Sequence, residues 1–320
     1  MRIIGIAAVI AVFAAGAAQA EVKYPSRPIT MVVAFSAGGG TDTAARMIAK
    51  DLSVELGQPI VIENRPGAGG AIGAETVVRA APDGYTLLFG SGSELDVLPA
   101  VKAVAPYDTL KDFTPIAQIG TVAFLLAVNP AVKANTVKEL IDLAKPPHDI
   151  TYASYGVGST NHLIGAAFAH KTGAKLVHVP YKGSAAAATD LLSGQVQIAF
   201  DTVSSMMPYV KDGKLRALAT LSPTRSTLAP DLPTMAESGV SDFVFEGSLG
   251  MLAPRNTPPE IVERIHAAVS KVLRSPALVE AFRQRGVTIV DRGPKQFGDF
   301  LKADIQKWKR IAHTAQIQLK

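Results

Sequence analysis

The 320-residue chain contains no cysteine. Its fold therefore needs no disulfide bond, it carries no lipid attached through a cysteine, and it has no thiol nucleophile. Basic residues are scattered: the formal net charge is +5, but no run of four or more basic residues occurs. Such a distribution lacks the positive patch that is typical of nucleic-acid-binding proteins. We expect no nucleic-acid partner.

Sequence motifs of hydrolases and metalloenzymes are missing as well. The chain has no G-x-S-x-G elbow and no H-E-x-x-H helix, and none of its six histidines pairs with another at metal-ligand spacing. A Ser-His-Asp triad assembled from Ser154, His162 and Asp201 is the alternative that the sequence leaves open. We expect no cofactor, no metal ion and no catalytic residues, with a hydrolase as the runner-up.

Only the N-terminus contains a long hydrophobic run. Residues Ile3–Ala18 are almost wholly apolar, Arg2 precedes them, and Ala18-Gln19-Ala20 has the small-x-small pattern of a cleavage site. This layout is typical of a secretory signal peptide. A transmembrane anchor is the alternative, but it needs about 20 apolar residues. We expect residues 1–20 to be removed on export, so that the mature chain begins at Glu21.

The rest of the chain, about 300 residues, exceeds one ordinary core and predicts two domains. Short apolar runs alternate with longer helical patterns, which is typical of an α/β fold. The predicted strands are Ile29–Phe35, Pro59–Glu63, Tyr85–Gly90, Ile150–Ala153, Leu176–Val179, Val196–Asp201 and Leu215–Leu221, with a further apolar stretch at Ile116–Val128. The predicted helices are Thr41–Leu56, Ala71–Ala81, Val137–Ala144, Thr160–Thr172, Ser184–Leu192, Ser204–Lys211, Pro259–Arg274, Pro276–Gln284 and Pro294–Gln316.

Two strand–loop–helix units repeat along the chain. The run Met31–Phe35 leads into the loop Ser36–Asp42 and a helix, and Ile150–Ala153 leads into the loop Ser154–Thr160 and another helix. Ligands of open α/β sheets bind at the carboxyl ends of strands. The two units, one in each domain, therefore predict a cleft that closes on a ligand from both sides.

Both loops offer backbone N–H groups at the start of a helix, where an anion is favoured. The glycines Gly38–Gly40 let a ligand approach the backbone closely. Neither loop contains Lys or Arg, which indicates binding by oriented dipoles rather than by a salt bridge. Taken singly, each loop is equally an ordinary turn before a helix cap. Hydroxyl donors are available from Ser36, Thr41, Ser154, Ser159 and Thr160.

Three further side chains lie near the predicted cleft. Asp42 is either a helix cap or a ligand contact. His162 belongs to the first turn of the helix after the second loop, within reach of the cleft. Asp201, at the end of a predicted strand, either caps the next turn or accepts a hydrogen bond from a ligand hydroxyl or amine.

An ordered series of short motifs gives the whole mature chain a family resemblance. The sequence resembles the Bug family, the periplasmic receptors of tripartite tricarboxylate transporters. Each motif is weak alone, but their order is specific. The motifs are Tyr24–Ile29, Gly38–Asp42, Gly57–Pro59, Glu63–Gly70, Ala81–Leu88, Pro106–Asp108, Lys111–Pro115, Val177–Gly183, Asp190–Gln195, Gly213–Leu218, Leu232–Gly239 and Leu252–Pro254.

The resemblance implies a periplasmic-binding-protein (Venus-flytrap) fold with two α/β domains and two crossover strands. We expect domain I over residues 21–121 and 249–320 and domain II over residues 122–248, with crossovers at Val122–Val128 and Phe245–Ala253. It also implies a small carboxylate ligand, either a di- or tricarboxylate, and delivery to the membrane subunits of the transporter. A sensor that binds solute without transport is another alternative. We expect a monomer in the periplasm.

Departures from the family pattern concern the ligand. The chain has Ala34-Phe35-Ser36-Ala37 where the family usually has Pro-Phe-Pro-Pro, and Tyr155 and Glu94 replace residues that are commonly smaller or neutral. Phe35 and Tyr155 can flank an aromatic or long carboxylate, although an aliphatic dicarboxylate fits equally. The predicted ligand contacts are Phe35, Ser36, Gly39, Gly40, Thr41, Asp42, Ser91, Ser93, Ser154, Tyr155, Gly158, Ser159, Thr160, His162 and Asp201.

Overall fold

The computed structural model describes residues 24–101, 106–226 and 228–314. The predicted signal peptide and its cleavage site after Ala20 lie outside these residues. The strands are β1 (Ile29–Val33), β2 (Ile60–Asn64), β3 (Thr86–Ser91), β4 (Phe113–Val128), β5 (Ile150–Ser154), β6 (Leu176–Pro180), β7 (Ile198–Thr202), β8 (Arg216–Thr220), β9 (Glu246–Pro254) and β10 (Val287–Arg292). The helices are α1 (Gly40–Leu56), α2 (Ala71–Val78), α3 (Leu98–Val101), α4 (Thr109–Asp112), α5 (Val137–Leu143), α6 (Thr160–Thr172), α7 (Ser184–Ser193), α8 (Val203–Lys211), α9 (Pro259–Leu273), α10 (Pro276–Arg283) and α11 (Pro294–Thr314).

The strands that the structure describes form one mixed sheet. Its order is β2-β1-β3-β9-β4-β7-β5-β6, and β8 and β10 also pair with β4. Parallel pairing joins β1 to β2 and β3 in one half, and joins β5 to β6 and β7 in the other. Parallel strands are connected through helices, which explains the alternation of elements in the sequence.

Strand β4 connects the two parallel groups. Its 16 residues pair antiparallel with β9 over Phe113–Ala123 and with β7 over Phe124–Val128. The strand thus passes from the first half of the sheet into the second, with β9 beside it. Together β4 and β9 occupy the two segments, Val122–Val128 and Phe245–Ala253, that the sequence predicts to cross between the halves.

Each half of the sheet has its own apolar core. Met31 and Ile265 are fully buried in the first half, where α1 and α9 cover the sheet. In the second half, the rings of Phe168 and Phe200 pack with their centroids 5.3 Å apart. Burial of apolar surface is the main favourable contribution to folding. Each half of the sheet therefore has its own source of stability.

Helix α11 packs against both halves. Its apolar positions recur at helical spacing. Phe297 and Leu301 are buried against the first half, whereas Trp308 belongs to the core of the second half. The Trp308 ring stacks on Phe245 at 5.5 Å, and its Nε1–H donates to Asp304 Oδ2 at 2.9 Å. Among the described residues, no helix is both long enough and apolar enough to cross a membrane.

Three segments differ most from the sequence-based expectation. The apolar stretch predicted from Ile116 is a longer strand that starts at Phe113. Residues Ser93–Val101, for which no helix was predicted, form a π-helical turn followed by a short helix. Strand β10 was not predicted, because its six residues gain their pairing from the distant β4. These differences arise from tertiary contacts that override local propensity.

Candidate functional site

A cavity of about 290 Å³ lies between the two halves of the molecule. Residues from the first turns of four helices, α1, α6, α7 and α8, are on its wall. Backbone N–H groups at a helix start have no intrahelical partner, and the helix dipole is positive there. Four such ends at one cavity favour an anion. The Ser, Thr and Asn side chains on the wall are Thr41, Thr43, Ser91, Ser93, Thr160, Asn161, Ser184, Thr202, Ser204, Ser205 and Ser248.

The first predicted loop brings its glycines to the cavity. Gly38 has a φ of 82°, in the left-handed region that favours glycine. Its backbone N–H donates to Asp42 Oδ2 at 2.8 Å. Gly40 then begins α1 on the cavity wall. The bond to Asp42 therefore fixes the turn that presents the start of the helix.

Asp42 itself supports this loop from behind the cavity wall. It is only 2% exposed, and its carboxylate also accepts hydrogen bonds from Arg46 Nε at 3.0 Å and from Asn64 Nδ2 at 2.9 Å. Burial opposes ionisation, but the hydrogen bonds from Arg46, Gly38 and Asn64 outweigh it and hold the pKa of Asp42 below its usual value. These contacts are those of a loop-fixing residue.

Two histidines support the second predicted loop. The rings of His162 and His178 stack with their centroids 4.0 Å apart. The backbone N–H of Gly158 donates to His162 Nδ1 at 3.3 Å, and Ser154 Oγ forms a 2.5 Å hydrogen bond with His178 Nε2. Burial lowers the pKa of each histidine to about 4, and for His178 the neighbouring His162 adds to this effect. Both rings are therefore neutral at neutral pH and hold the loop without charge.

Asp201 positions two side chains of the cavity wall. Its carboxylate is 1% exposed. It accepts hydrogen bonds from the Tyr155 hydroxyl, from Ser184 Oγ at 3.1 Å and from the Thr202 backbone N–H at 2.6 Å. Burial raises the pKa of Asp201 to about 6, although these hydrogen bonds oppose the shift. Asp201 thus orients Tyr155 and Ser184, which both line the cavity.

Glu94 has a similar supporting role in the first half. It is 1% exposed, and its two carboxylate oxygens accept from the Ser91 backbone N–H at 2.8 Å and from Ser91 Oγ at 2.9 Å. Burial raises the pKa of Glu94 to about 7, against the effect of these bonds. The carboxyl group fixes Ser91, whose side chain lies on the cavity wall.

Direct contacts join the two halves across the cavity. Ser93 Oγ lies 3.1 Å from Thr160 Oγ1 and accepts from the Thr160 backbone N–H at 3.1 Å. Ser36 Oγ donates to the backbone carbonyl of Lys182 at 3.2 Å. The rings of Phe35 and Tyr155 approach to 5.8 Å between centroids. Each predicted loop therefore contacts the opposite half, through Ser36 in the first loop and Thr160 in the second, and the halves meet in a closed arrangement.

The predicted ligand contacts fall into two groups. Six of them line the cavity: Gly40, Thr41, Ser91, Ser93, Tyr155 and Thr160. The other nine are not on its wall and instead belong to the cross-cleft contacts or to the support of the loops. These are Phe35, Ser36, Gly39, Asp42, Ser154, Gly158, Ser159, His162 and Asp201.

The triad alternative has no geometric basis. Ser154 is hydrogen-bonded to His178 rather than to His162, and Asp201 accepts from Tyr155 and other donors. Within the described residues, no three His, Cys, Asp or Glu side chains form a group that could hold a metal ion.

Several wall residues were not predicted from the sequence. Ser184 begins α7, with three residues between it and the end of β6, and Thr202 ends β7 directly before α8, so they belong to a third and a fourth strand-to-helix unit. The same pattern that identified the first two loops was available to find them. Asn161 also lines the cavity, and its buried Oδ1 has no hydrogen-bond partner among the described residues. Arg285 had no sequence signal, because it reaches the cavity from the end of the chain through the pairing of β10 with β4.

Two α/β halves that share two long strands and meet around a polar cavity define a two-domain solute-binding protein. Residues 44–317 match the family model described as tripartite tricarboxylate transporter family receptor. The protein BugT of Bordetella pertussis is 38% identical, and the match covers 100% of this chain and 100% of that protein. The chain therefore belongs to the tripartite tricarboxylate transporter receptor family, the family of the Bug proteins.

Solved structures give the same result. A protein from R. palustris, solved with adipate, has a TM-score of 0.89 at 35% identity, and the match covers 92% of this chain and 99% of that chain. MatC from Rhodopseudomonas palustris, with bound malate, has a TM-score of 0.87 at 31% identity, covering 90% of this chain and 99% of that chain. The predicted two-domain periplasmic-binding-protein fold is confirmed. The family consists of periplasmic receptors, so the hydrolase alternative is dropped.

Proposed function

We propose that this receptor binds a small carboxylate in the cavity between its halves and delivers it to the membrane subunits of a tripartite tricarboxylate transporter. The observation that carries this proposal is the convergence of four helix starts on one cavity. The ligands named for two relatives, adipate and malate, are both carboxylates, which supports the same ligand class here.

The charges around the cavity favour an anion. The positive ends of α1, α6, α7 and α8 point to the wall, and each contributes up to roughly half an elementary charge. No acidic side chain is on the wall formed by the described residues. Backbone N–H groups at helix starts bind anions without a charged side chain. This arrangement supports reversible binding of a carboxylate.

The size of the cavity supports a small ligand. Pockets for drug-sized molecules span about 300–1,000 Å³, and this cavity, at about 290 Å³, lies at the lower limit. Asn161 Oδ1 offers a buried acceptor, which a ligand hydroxyl or a water can satisfy. A small carboxylate, with or without a hydroxyl group, matches these properties.

We further propose that residues 21–121 and 249–320 form domain I, that residues 122–248 form domain II, and that the receptor is a periplasmic monomer cleaved after Ala20. The separate apolar cores support the division, although the last turns of α11 pack on domain II through Trp308. Light scattering of the secreted protein tests the monomer. Mass spectrometry of its N-terminal peptide, which we expect to begin at Glu21, tests the cleavage site.

Carboxylates should stabilise the protein without being consumed. Ligand at about 100 times its Kd contributes about 2.7 kcal/mol to the free energy of unfolding, which corresponds to about 4 °C in melting temperature for a protein of this size. A thermal-shift screen of mono-, di- and tricarboxylates measures this, with sodium chloride at equal ionic strength as control. A melting temperature that no carboxylate raises, or turnover of a chromogenic ester, would contradict the proposal.

Affinity should depend on pH through the buried carboxyl groups. Asp201, with a pKa of about 6, and Glu94, with a pKa of about 7, hold the wall residues Ser184 and Ser91. A bound anion raises both pKa values further, so the complex binds more protons than the free protein, and affinity falls as pH rises through this range. We expect Kd to increase by about threefold between pH 5.5 and 8. The histidines His162 and His178 stay neutral throughout.

Calorimetry across this pH range measures the effect. The variant Asp201→Asn keeps a hydrogen-bond acceptor for Ser184 but no longer titrates, so its Kd should vary less with pH than that of the wild type. A Kd that stays constant or falls with rising pH in the wild type would show that these carboxyl groups do not sense the ligand.

A further inference from the structure

The cavity continues well beyond the helix starts. Along α1 its wall includes Gly40 and Thr41 in the first turn, and then Ala44 and Met47. Met47 lies seven positions after Gly40, which is about 10 Å along the helix at about 1.5 Å per residue. One carboxylate at the helix starts therefore leaves the rest of the cavity for the remainder of the ligand.

The wall of this continuation is apolar. It is formed by side chains from the shared strands and from the C-terminal part of the chain, including Val122, Phe124, Leu249, Phe282 and Val287. Apolar walls favour methylene groups or a ring over charged groups. The middle of the ligand is therefore expected to be hydrocarbon.

Arg285 introduces charge into this otherwise neutral surface. It lies between α10 and β10, and among the described residues it is the only charged side chain on the cavity wall. It is exposed to solvent, and no acidic side chain within the described ranges forms a salt bridge with it. A guanidinium group presents a planar fork that matches a carboxylate.

The position of Arg285 also depends on the closed arrangement. The next residue, Gly286, approaches the second half of the molecule: a Cβ atom built on Gly286 would lie 3.1 Å from Leu228 Cδ1 and 3.6 Å from Val203 Cβ. Arg285 is therefore held beside α8, whose Pro208 and Tyr209 form the opposite wall. It sits where both halves meet.

We propose that Arg285 binds the second anionic group of an elongated ligand, a dicarboxylate whose two carboxylates are separated by a hydrocarbon chain or a ring. The first carboxylate lies at the helix starts, the apolar wall encloses the spacer, and Arg285 pairs with the far carboxylate. This inference rests on the proposed carboxylate-binding function. It assigns Arg285 the role of selecting dicarboxylates over monocarboxylates.

Pairs of ligands that differ by one carboxylate test the assignment. Calorimetry compares adipate, pimelate and suberate with hexanoate, heptanoate and octanoate, which have equal numbers of carbons. We expect the wild type to bind at least one dicarboxylate about fivefold more tightly than its partner, as for a solvent-accessible ion pair. The preference should weaken as salt concentration rises. In Arg285→Gln it should disappear, with the affinity for the monocarboxylate unchanged.

Arg283→Gln is the matched control. Arg283 ends the same helix and is also exposed, but it pairs with Glu280 at 2.7 Å and is not on the cavity wall. This variant should keep the wild-type preference. If Arg285→Gln weakens mono- and dicarboxylates equally, Arg285 acts on the structure rather than on the far carboxylate, and the assignment is wrong.

The outcome also separates this inference from the proposed function. Binding of short carboxylates such as malate, with no preference for the elongated dicarboxylates, would overturn the role of Arg285 and leave the receptor function intact. If no carboxylate of either series binds, and malate and citrate do not bind either, both the role of Arg285 and the receptor function are contradicted.

Discussion

Gly40→Val should weaken carboxylate binding by at least about thirtyfold, which is about 2 kcal/mol, while the protein stays folded. Gly40 begins α1 and lies on the cavity wall. A Cβ atom at this position would lie 3.3 Å from Ser204 Oγ and 3.4 Å from Ser205 Oγ and Thr202 Oγ1. The first contact is already tight, and valine adds two further carbons. These carbons would occupy the space between the helix start and the hydroxyl groups of the opposite half.

The loss should come from the cavity and not from the backbone of α1. Gly40 lies inside a helix and its φ is not in the left-handed region, so valine can adopt this conformation at a modest cost in helix propensity. Gly298→Val provides the control. Gly298 is also helical, a Cβ atom there meets only Pro115 Cγ at 3.7 Å, and neither residue is on the cavity wall.

Calorimetry of both variants, with melting temperatures measured without ligand, checks the prediction. Gly298→Val should bind as the wild type does. The affinity of Gly40→Ala should lie between those of the wild type and Gly40→Val, since the hydroxyl groups of Ser204 and Ser205 can rotate away from a single methyl group. Unchanged affinity in a folded Gly40→Val protein would mean that the ligand does not lie at the start of α1.

The fold was largely predictable because the sequence alternates apolar runs and helical patterns. β1 and α1 were found from the run that begins at Ile29 and from the glycine at position 57 that ends the helix, and Gly57 has a φ of 71° in the structure. By contrast, β10 pairs with a strand more than 150 residues earlier in the chain. Its pairing could not be read from local pattern alone.

The site was predictable in part, and for the same reason. The loops after β1 and β5 are recognisable in the sequence because glycine, serine and threonine cluster between a strand and a helix. Gly40 and Thr160 were predicted for this reason. Burial was not visible in the sequence: Asp42 and Asp201 carry charge but support the wall from behind. Arg285 lies at the cavity only because β10, which follows it, pairs with the distant β4. The sequence-based prediction of anion binding by helix dipoles therefore did not include this side chain.

A disulfide between the two halves should trap the closed arrangement and slow ligand exchange by at least about a hundredfold. A Cβ atom built on Gly39 would lie 3.8 Å from Cβ of Ser184, and disulfide-linked residues have a Cβ separation of about 3.8 Å on average. Gly39 has a φ of −74°, which any residue adopts. Because the chain contains no cysteine, the double variant Gly39→Cys, Ser184→Cys has only this one pair of thiols.

The physical reason is that closure and access exclude each other. Ser36, Ser93 and Thr160 join the halves directly across the cavity, so a ligand held between them can leave only when the halves separate. Separation requires a hinge, which a few residues of the shared strands β4 and β9 can supply. A covalent link from the loop before α1 to the start of α7 prevents that motion, whereas reduction restores it.

Stopped-flow binding to the oxidised and reduced double variant measures the effect. Ligand association with the oxidised protein should be slow, and its rate should recover on reduction. Ligand that is bound before oxidation should remain bound during dialysis. The single variants Gly39→Cys and Ser184→Cys report the cost of each substitution, including loss of the Ser184 hydroxyl from the wall. The disulfide blocks the hinge motion. Rapid exchange in a protein with a proven intramolecular disulfide would therefore mean that ligand reaches the cavity without separation of the halves.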